Sequence, residues 1–361
     1  MSTALEHALA AINGANADPI HAAKCRGLMH GYDARWKDAG WETLSVEEVF
    51  HLPVINPETG AASRTFTQAG KYDGIAEHSG RVCLIEHKTT SDDIADPASH
   101  YWKRLTIDSQ VSAYVLANWQ NGRKLDGTLY DVVKKPGIRP KAIPKADLKA
   151  IASFGTYFGT KVPPDVLNNI IVHGQTDECP ALYGFRLASD CIENPNKYFQ
   201  RRMVPRLDNE VSEYAQELWD VGKTILEARA NNRHYRNSGA CMQWGSPCEY
   251  LSICCGEDSV ESDRWQKPEN VHSELPILDK SGGRSVLTNS RIKTFQTCRR
   301  KHYFRHELGI RKYDEEEKEA LVFGSLWHLA LENWWSFFMK GTEDVHSDEA
   351  PAVNAAAGAE A

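Results

Sequence analysis

KYDGIAEHSGRVCLIEHKTT, residues 71–90, is the stretch that decides the architecture. Arg81 to Ile85 is an apolar, β-rich run, and His78, Ser79 and Gly80 before it read as a tight turn from the strand that carries Asp73. The two strands make a hairpin. Side chains alternate along a strand, so Glu86 and Lys88 project from one face while His87 points to the other. Asp73, at the end of the partner strand, reaches the Glu86 face and sets two carboxylates beside an ammonium. Such oxygens suit a hard divalent cation, Mg²⁺ or Mn²⁺, that keeps some of its waters. The ion would lower the pKa of a bound water and neutralise charge building on a phosphate, and Lys88 would act on the same charge.

Working outward, Ile107 to Trp119 reads as a helix with Gln110 and Tyr114 one turn apart on one face, in reach of substrate or of Lys88. A Glu-x-Lys pair alone describes a solvated surface as well as a site. The hairpin, Asp73-Gly74-Ile75 and the Gln-x-x-x-Tyr helix change that balance. Together they resemble the PD-(D/E)XK nuclease superfamily, in its RecB-like, AddB-type exonuclease branch of phage and bacteria. The resemblance implies an α/β fold, a restriction-endonuclease-like core with a mixed central sheet flanked by helices. It implies that Asp73 and Glu86 bind metal, that Lys88 is catalytic, and that Gln110 and Tyr114 form the branch's additional motif. DNA is then the substrate, in recombination, repair or phage DNA processing, with a helicase or recombination protein as the kind of partner.

Cysteines form a second constellation. The chain has nine, with no N-terminal signal pattern and no apolar run long enough to span a bilayer, which points to a reducing cytoplasm. Cys241, Cys248, Cys254 and Cys255 crowd into one short segment and suit a soft metal. In the branch this chain resembles, one cysteine before the nuclease core and three after it hold a [4Fe–4S] cluster. The spacing of Cys248 and Cys254 agrees with that pattern. The usual near neighbour of Cys248 would fall at Gly245, so Cys241 has to serve from a longer loop. Structural zinc is the alternative, distinguished by its lack of colour.

A fourth ligand is available at Cys298, which ends a Ser-capped helix within residues 287–304 that resembles the opening segment of the same branch. A helix with Gly324, His328 and Glu332 follows, and by resemblance His328 is a further metal ligand. A lone helical His is otherwise more often a packing or capping residue, and Cys298 fits a small buried hydrophobe as well as a ligand. These pieces stand behind the part they should precede. Circular permutation explains the order, because the two parts complement each other without duplication; a fused fragment is the alternative. The expected organisation is a nuclease core over 1–235, a cysteine segment over 236–260, a linker over 261–284, a transplanted N-terminal lobe over 285–340 and a disordered tail over 341–361.

At 361 residues and 41 % hydrophobic content the chain can bury a sizeable core. A net charge of −7 carries no global basic signal, so phosphate contacts must come from local patches. Lys134-Lys135, Arg201-Arg202 with Arg206, and Arg299-Arg300-Lys301 are the candidates, the last favoured for substrate with Tyr303 and Phe304 available for stacking. Further expectations are helices over 3–40, strands over 46–76 turning at 56–60, a strand over 127–133 and a mobile Lys/Pro-rich connection over 136–164. A strand over 181–187 and an amphipathic helix over 208–235 complete the series. The rival class is a non-catalytic DNA-binding or assembly protein that keeps the fold.

Overall fold

The computed structural model describes residues 3–243, 245–268, 283–313 and 319–339. Its helices are α1 Thr3–Gly14, α2 Pro19–Trp36, α3 His100–Leu105, α4 Ser109–Gln120, α5 Lys145–Phe154, α6 Pro164–Ile171, α7 Pro180–Glu193, α8 Pro195–Tyr198, α9 Asp208–Ala230, α10 Leu251–Cys255, α11 Asn289–Thr297, α12 Arg299–His302 and α13 Glu319–Ser336. Its long strands are β1 Glu42–Ile55, β2 Ala62–His78, β3 Arg81–Thr90 and β4 Gly127–Lys134. Shorter ones are β5 Thr156–Tyr157, β6 Thr160–Lys161, β7 Phe199–Val204, β8 Met242–Gln243, β9 Ser246–Pro247, β10 Trp265–Gln266, β11 Ser285–Leu287 and β12 Arg311–Lys312.

The central sheet is mixed, in the order β1-β2-β3-β4-β7, with β11 also on β2. The expected hairpin is β2 and β3, antiparallel with His78 opposite Arg81; its turn uses left-handed Ser79 and Gly80, at φ of 52° and 76°. β4 lies parallel to β3, which requires a crossover, and α3 and α4 supply it. β11 pairs in parallel with Phe66 to Gln68, whose other edge is taken by β1. It therefore lies along the same edge of β2 as β3, beyond the point where β3 leaves, and Asp73 sits near that junction.

Both faces of the sheet are covered, so β3 and β4 are buried almost throughout. Leu84, Tyr130 and Val132 pack on one side with α4, α9 and α11, through Val111, Tyr114, Val211, Leu218 and Phe295. Ile85, Leu129 and Val133 pack on the other with α1, α2, α7 and α13, through Leu28, Tyr183, Leu187 and Trp327. The strand period of two thus sorts neighbouring side chains into two cores. Cys25 is fully buried in α2, and burial pushes its thiol up to about 12.

Three expectations are corrected. Residues 181–187 are helical, within α7: Pro180 starts the helix, and Leu182, Tyr183, Leu187 and Cys191 bury one side of it. A short apolar run does not distinguish strand from helix by periodicity; here close packing on α2 decides. At Gly31 a Cβ would lie 2.5 Å from Cys191 Cβ, so only glycine allows the approach. The connection over 136–164 is not open loop. It contains α5 and the β5-β6 hairpin and, with α6, builds its own apolar cluster around Ile151, Tyr157, Val162 and Ile170. The amphipathic helix ends at Ala230 rather than 235, and Leu226 of its expected inner face is exposed.

Of the linker over 261–284, residues 269–282 lie outside the described residues, as does the tail over 341–361. The described start of the linker is structured: Trp265 in β10, beside β12, packs with Tyr250, Phe304 and Ile310.

Candidate active site

β3 delivers Glu86 and Lys88 to one side, as alternation demands. Lys88 Nζ lies 2.5 Å from Glu86 Oε1, 3.1 Å from Gln110 Oε1 and 3.5 Å from Asp108 Oδ2. Asp108 caps α4 by accepting from Gln110 N at 3.1 Å, so the start of this helix is fixed to the site by its own cap. Gln110 Nε2 donates to Tyr114 OH at 2.7 Å. Tyr114 therefore reaches the lysine only through Gln110; it is 6 % exposed, with its ring against Phe50 and Tyr72.

Asp73 accepts from the backbone N of His87 at 2.6 Å through Oδ2, and its Oδ1 lies 3.6 Å from His328 Nδ1 on α13. A residue of the C-terminal segment thus enters the site formed by the N-terminal one. Ligand atoms of Asp73, His328 and Glu47 all lie within 4.8 Å of one another, the one such trio among the described residues. Glu47 was not found by sequence reasoning. It sits on β1 in a left-handed conformation, φ 52°, ion-paired with Lys71. The only sequence signal for it was an acidic pair, Glu47-Glu48, inside a strand pattern. A non-glycine residue held in this region is strained and is found where surrounding structure enforces it.

The electrostatics follow from burial. Glu86 is 2 % exposed; burial lifts its carboxyl to about 7, with Lys88 opposing and Asp73 reinforcing the rise. Asp73 is also raised, by burial first, with His87 opposing. Burial brings His328 down to about 4, so its imidazole is neutral and able to ligate at neutral pH. Burial works against the charge on Lys88, but Glu86 and Asp108 outweigh it and raise its pKa. Glu86 Oε2 is buried with no hydrogen-bond partner among the protein atoms. Glu86 lies outside the trio of Glu47, Asp73 and His328, but its orphaned carboxylate oxygen and the carboxylates of that trio are the donors a hard divalent cation takes.

His87, on the opposite side of β3, joins a buried network. Its Nδ1 lies 3.3 Å from Asp131 Oδ2, and Arg201 Nε lies 3.3 Å from Asp131 Oδ1. Tyr32 OH donates to Asp131 and accepts from Arg201 at 2.8 Å and from Trp335 Nε1 at 3.1 Å. Trp335 belongs to the same helix as His328, so the network ties α13 to the sheet.

Cys241, Cys248, Cys254 and Cys298 line one small cavity, together with Tyr250 and Lys301. No three of these sulfurs come within 4.8 Å of one another, and Cys255 is exposed.

Two of the expected phosphate patches are committed to structure. Arg201 is buried on Asp131, Arg202 lies 4.1 Å over the Trp102 ring, and Arg206 donates to the carbonyls of Leu105 and Asp108. Lys135 sits over Phe323. In the third patch Phe304 is buried, and Tyr303 is half-buried with one face of its ring stacked on His234.

The profile of the PD-(D/E)XK nuclease superfamily matches residues 3–255 and 286–360. The chain belongs to this superfamily, and the mixed sheet flanked by helices is its fold. Members of this class generally use Mg²⁺ or Mn²⁺, which agrees with the acidic site. Comparison with curated proteins and with solved structures found no match. Among the described residues no helix is long and apolar enough to cross a membrane.

Proposed function

We propose that this protein is a RecB-like, metal-dependent DNA exonuclease. The observation that carries the reading is the convergence of Lys88, Glu86, Asp73 and His328 from three elements, with a buried orphan oxygen on Glu86. Asp73, Glu86 and His328 would hold one or two Mg²⁺ or Mn²⁺ ions, with Glu47 as a further carboxylate. When bound, the ion supplies an activated water and charge neutralisation at the scissile phosphate. Lys88 stabilises charge on the phosphate oxygens, Gln110 orients the Lys88 ammonium, and Tyr114 fixes the amide of Gln110.

Cys241, Cys248, Cys254 and Cys298 would hold a [4Fe–4S] cluster, with structural zinc as the alternative. Support comes from the shared cavity and from the spacing of Cys248 and Cys254. The cluster would staple the Cys298 helix to the segment after α9 and requires a reducing, cytoplasmic setting.

The chain order is a circular permutation in this reading, with a core over 1–235, a cysteine segment over 236–260, a linker over 261–284, a transplanted lobe over 285–340 and a tail over 341–361. It is supported by β11 lying beside β2 and by His328 reaching Asp73. A helicase or recombination protein is the partner this branch implies. The rival is a DNA-binding protein without cleavage.

The test uses anaerobically purified protein and end-labelled single- and double-stranded DNA, with Mn²⁺ or EDTA, beside Lys88→Ala. Cleavage in Mn²⁺ that EDTA and the substitution both abolish is expected. Folded, metal-loaded protein that binds DNA without cutting it would install the rival. A brown chromophore lost in Cys298→Ser separates the cluster from zinc.

A further inference from the structure

The site continues outward along one surface. Asp108 lies between Lys88 Nζ, at 3.5 Å, and Lys293 Nζ on α11, at 3.9 Å, and Asn289 at the start of α11 lies 3.4 Å from Ser109. α11 thus begins at the catalytic lysine and ends at Cys298. Beyond its end, Tyr235 stands 58 % exposed, with the Arg299 guanidinium 4.6 Å over its ring. The ring is held in place by its backbone, since Arg300 N donates to Tyr235 O at 3.1 Å and Arg300 Nε donates to His234 O at 2.5 Å.

The charge on this surface is one-sided. Residues 289–302 and 231–238 contain no Asp or Glu, in a chain whose net charge is −7. They carry Arg233, Arg236, Lys293, Arg299, Arg300 and Lys301. Three acids border this surface: Glu307 is taken by Arg229 and Arg291, Glu249 is shared between Lys301 and Arg305, and Asp108 is shared between Lys293 and Lys88. A stripe of cations ending in an exposed, guanidinium-backed aromatic matches a strand whose bases are free. In a duplex the base faces are stacked on one another and cannot meet the Tyr235 ring; in a single strand every base offers one.

Resting on the nuclease reading above, we propose that a single DNA strand lies along the outer face of α11, with Lys293 on a phosphate beside the Lys88 site and Tyr235, backed by Arg299, stacked on a base. The stripe holds the strand that leads to or from the cut. Lys293 sets the register next to the site, and Tyr235 binds without regard to sequence because every base has a π-face.

The test measures binding of the full-length, anaerobically purified protein to a fluorescent oligo(dT) strand and to a closed hairpin duplex, in EDTA, by anisotropy. Tyr235→Ala is expected to weaken single-strand binding by roughly ten- to a hundred-fold with the duplex little changed, and Tyr235→Phe to restore it. Lys293→Ala is expected to lower the salt slope for the strand by about 0.7. Unchanged single-strand affinity in Tyr235→Ala, equal loss on both DNAs, or no single-strand binding by the unsubstituted protein overturns the proposal. Cleavage in Mn²⁺ is scored separately: cutting with an inert Tyr235 removes the track and keeps the nuclease, whereas Tyr235-dependent binding without cutting does the reverse.

Discussion

Gln110 accepts a hydrogen bond from Lys88 Nζ at 3.1 Å, and this contact joins the helix after the hairpin to the strand that carries the lysine. Its other amide atom is occupied by Tyr114, so the glutamine cannot flip without losing one bond. The pair therefore sets the direction of an ammonium that already has Glu86 and Asp108 as neighbours.

Gln110→Ala should leave DNA affinity in EDTA nearly unchanged and lower the single-turnover rate by about a hundred-fold, the usual consequence of a catalytic group displaced by about an ångström. Tyr114→Phe should lie between the two, because Gln110 stays but loses its anchor. Rapid-quench cleavage of labelled DNA measures both. A Gln110→Ala enzyme as fast as the unsubstituted one would remove the orienting role.

Glu47 combines a strained backbone with a place in the acidic trio. Glu47→Gly relieves a left-handed conformation that costs a side-chain-bearing residue about 1–2 kcal/mol, offset in part by the greater freedom of glycine in the unfolded chain. The metal-free melting temperature should hold or rise, while the increase produced by Mn²⁺ shrinks. Thermal unfolding with and without Mn²⁺ checks this; an undiminished Mn²⁺ effect would exclude Glu47 as a ligand.

The raised carboxyl of Glu86 sets a pH dependence. Its folded value, about 7 against 4.5 ordinarily, means the folded protein keeps a proton that the unfolded chain has released. Its contribution to metal-free stability is therefore greatest below the ordinary value and is lost as pH rises through about 7. His328, depressed to about 4, acts in the opposite direction: folded, it lacks a proton that the unfolded chain holds, so stability rises with pH up to the ordinary histidine range. The comparison is thus made between the unsubstituted protein and Glu86→Gln, whose stability difference should change across this window. Mn²⁺ affinity should rise with pH through about 7, with proton release on binding. Calorimetric titration in buffers of different ionisation enthalpy reads that release, and pH-independent affinity would contradict it.

Asp131 is fully buried among Arg201, His87 and Tyr32. Burial would push its carboxyl up, but Arg201 and His87 outweigh burial and hold it well below the usual range. Asp131→Ala strands the Arg201 charge and should cost about 3–5 kcal/mol, read as a lower urea midpoint. Asp131→Asn, which keeps the shape, should cost less. A midpoint unmoved by Asp131→Ala would show that the network is not what fastens α13.

The hairpin was legible because an apolar, β-rich run follows a Ser-Gly turn at 79–80, and strand alternation then puts Glu86 and Lys88 on one face; His328 was reached only through the family resemblance of the Gly-x-x-x-His helix. Glu47 was not legible: a carboxylate in a strand pattern gives no sign that its backbone turns left-handed or that it points at Asp73. The Arg201 patch was misread for the same reason, since a solvated arginine and one buried on Asp131 look alike in one dimension. The helix at 180–193 was misassigned because packing against Gly31 decided its form.

The sequence by itself thus determined the motifs that carry the family resemblance, the strand bearing the lysine, and the residue types available for a metal. Only the tertiary structure decided which of them meet. His328 and Asp73 are 3.6 Å apart although 255 positions separate them, and that approach depends on β11 docking beside β2 and on the Tyr32-Asp131-Arg201 network holding α13. Spacing along a chain constrains neighbours within a few turns; contacts between distant segments are set by which buried surfaces and charges can be satisfied together.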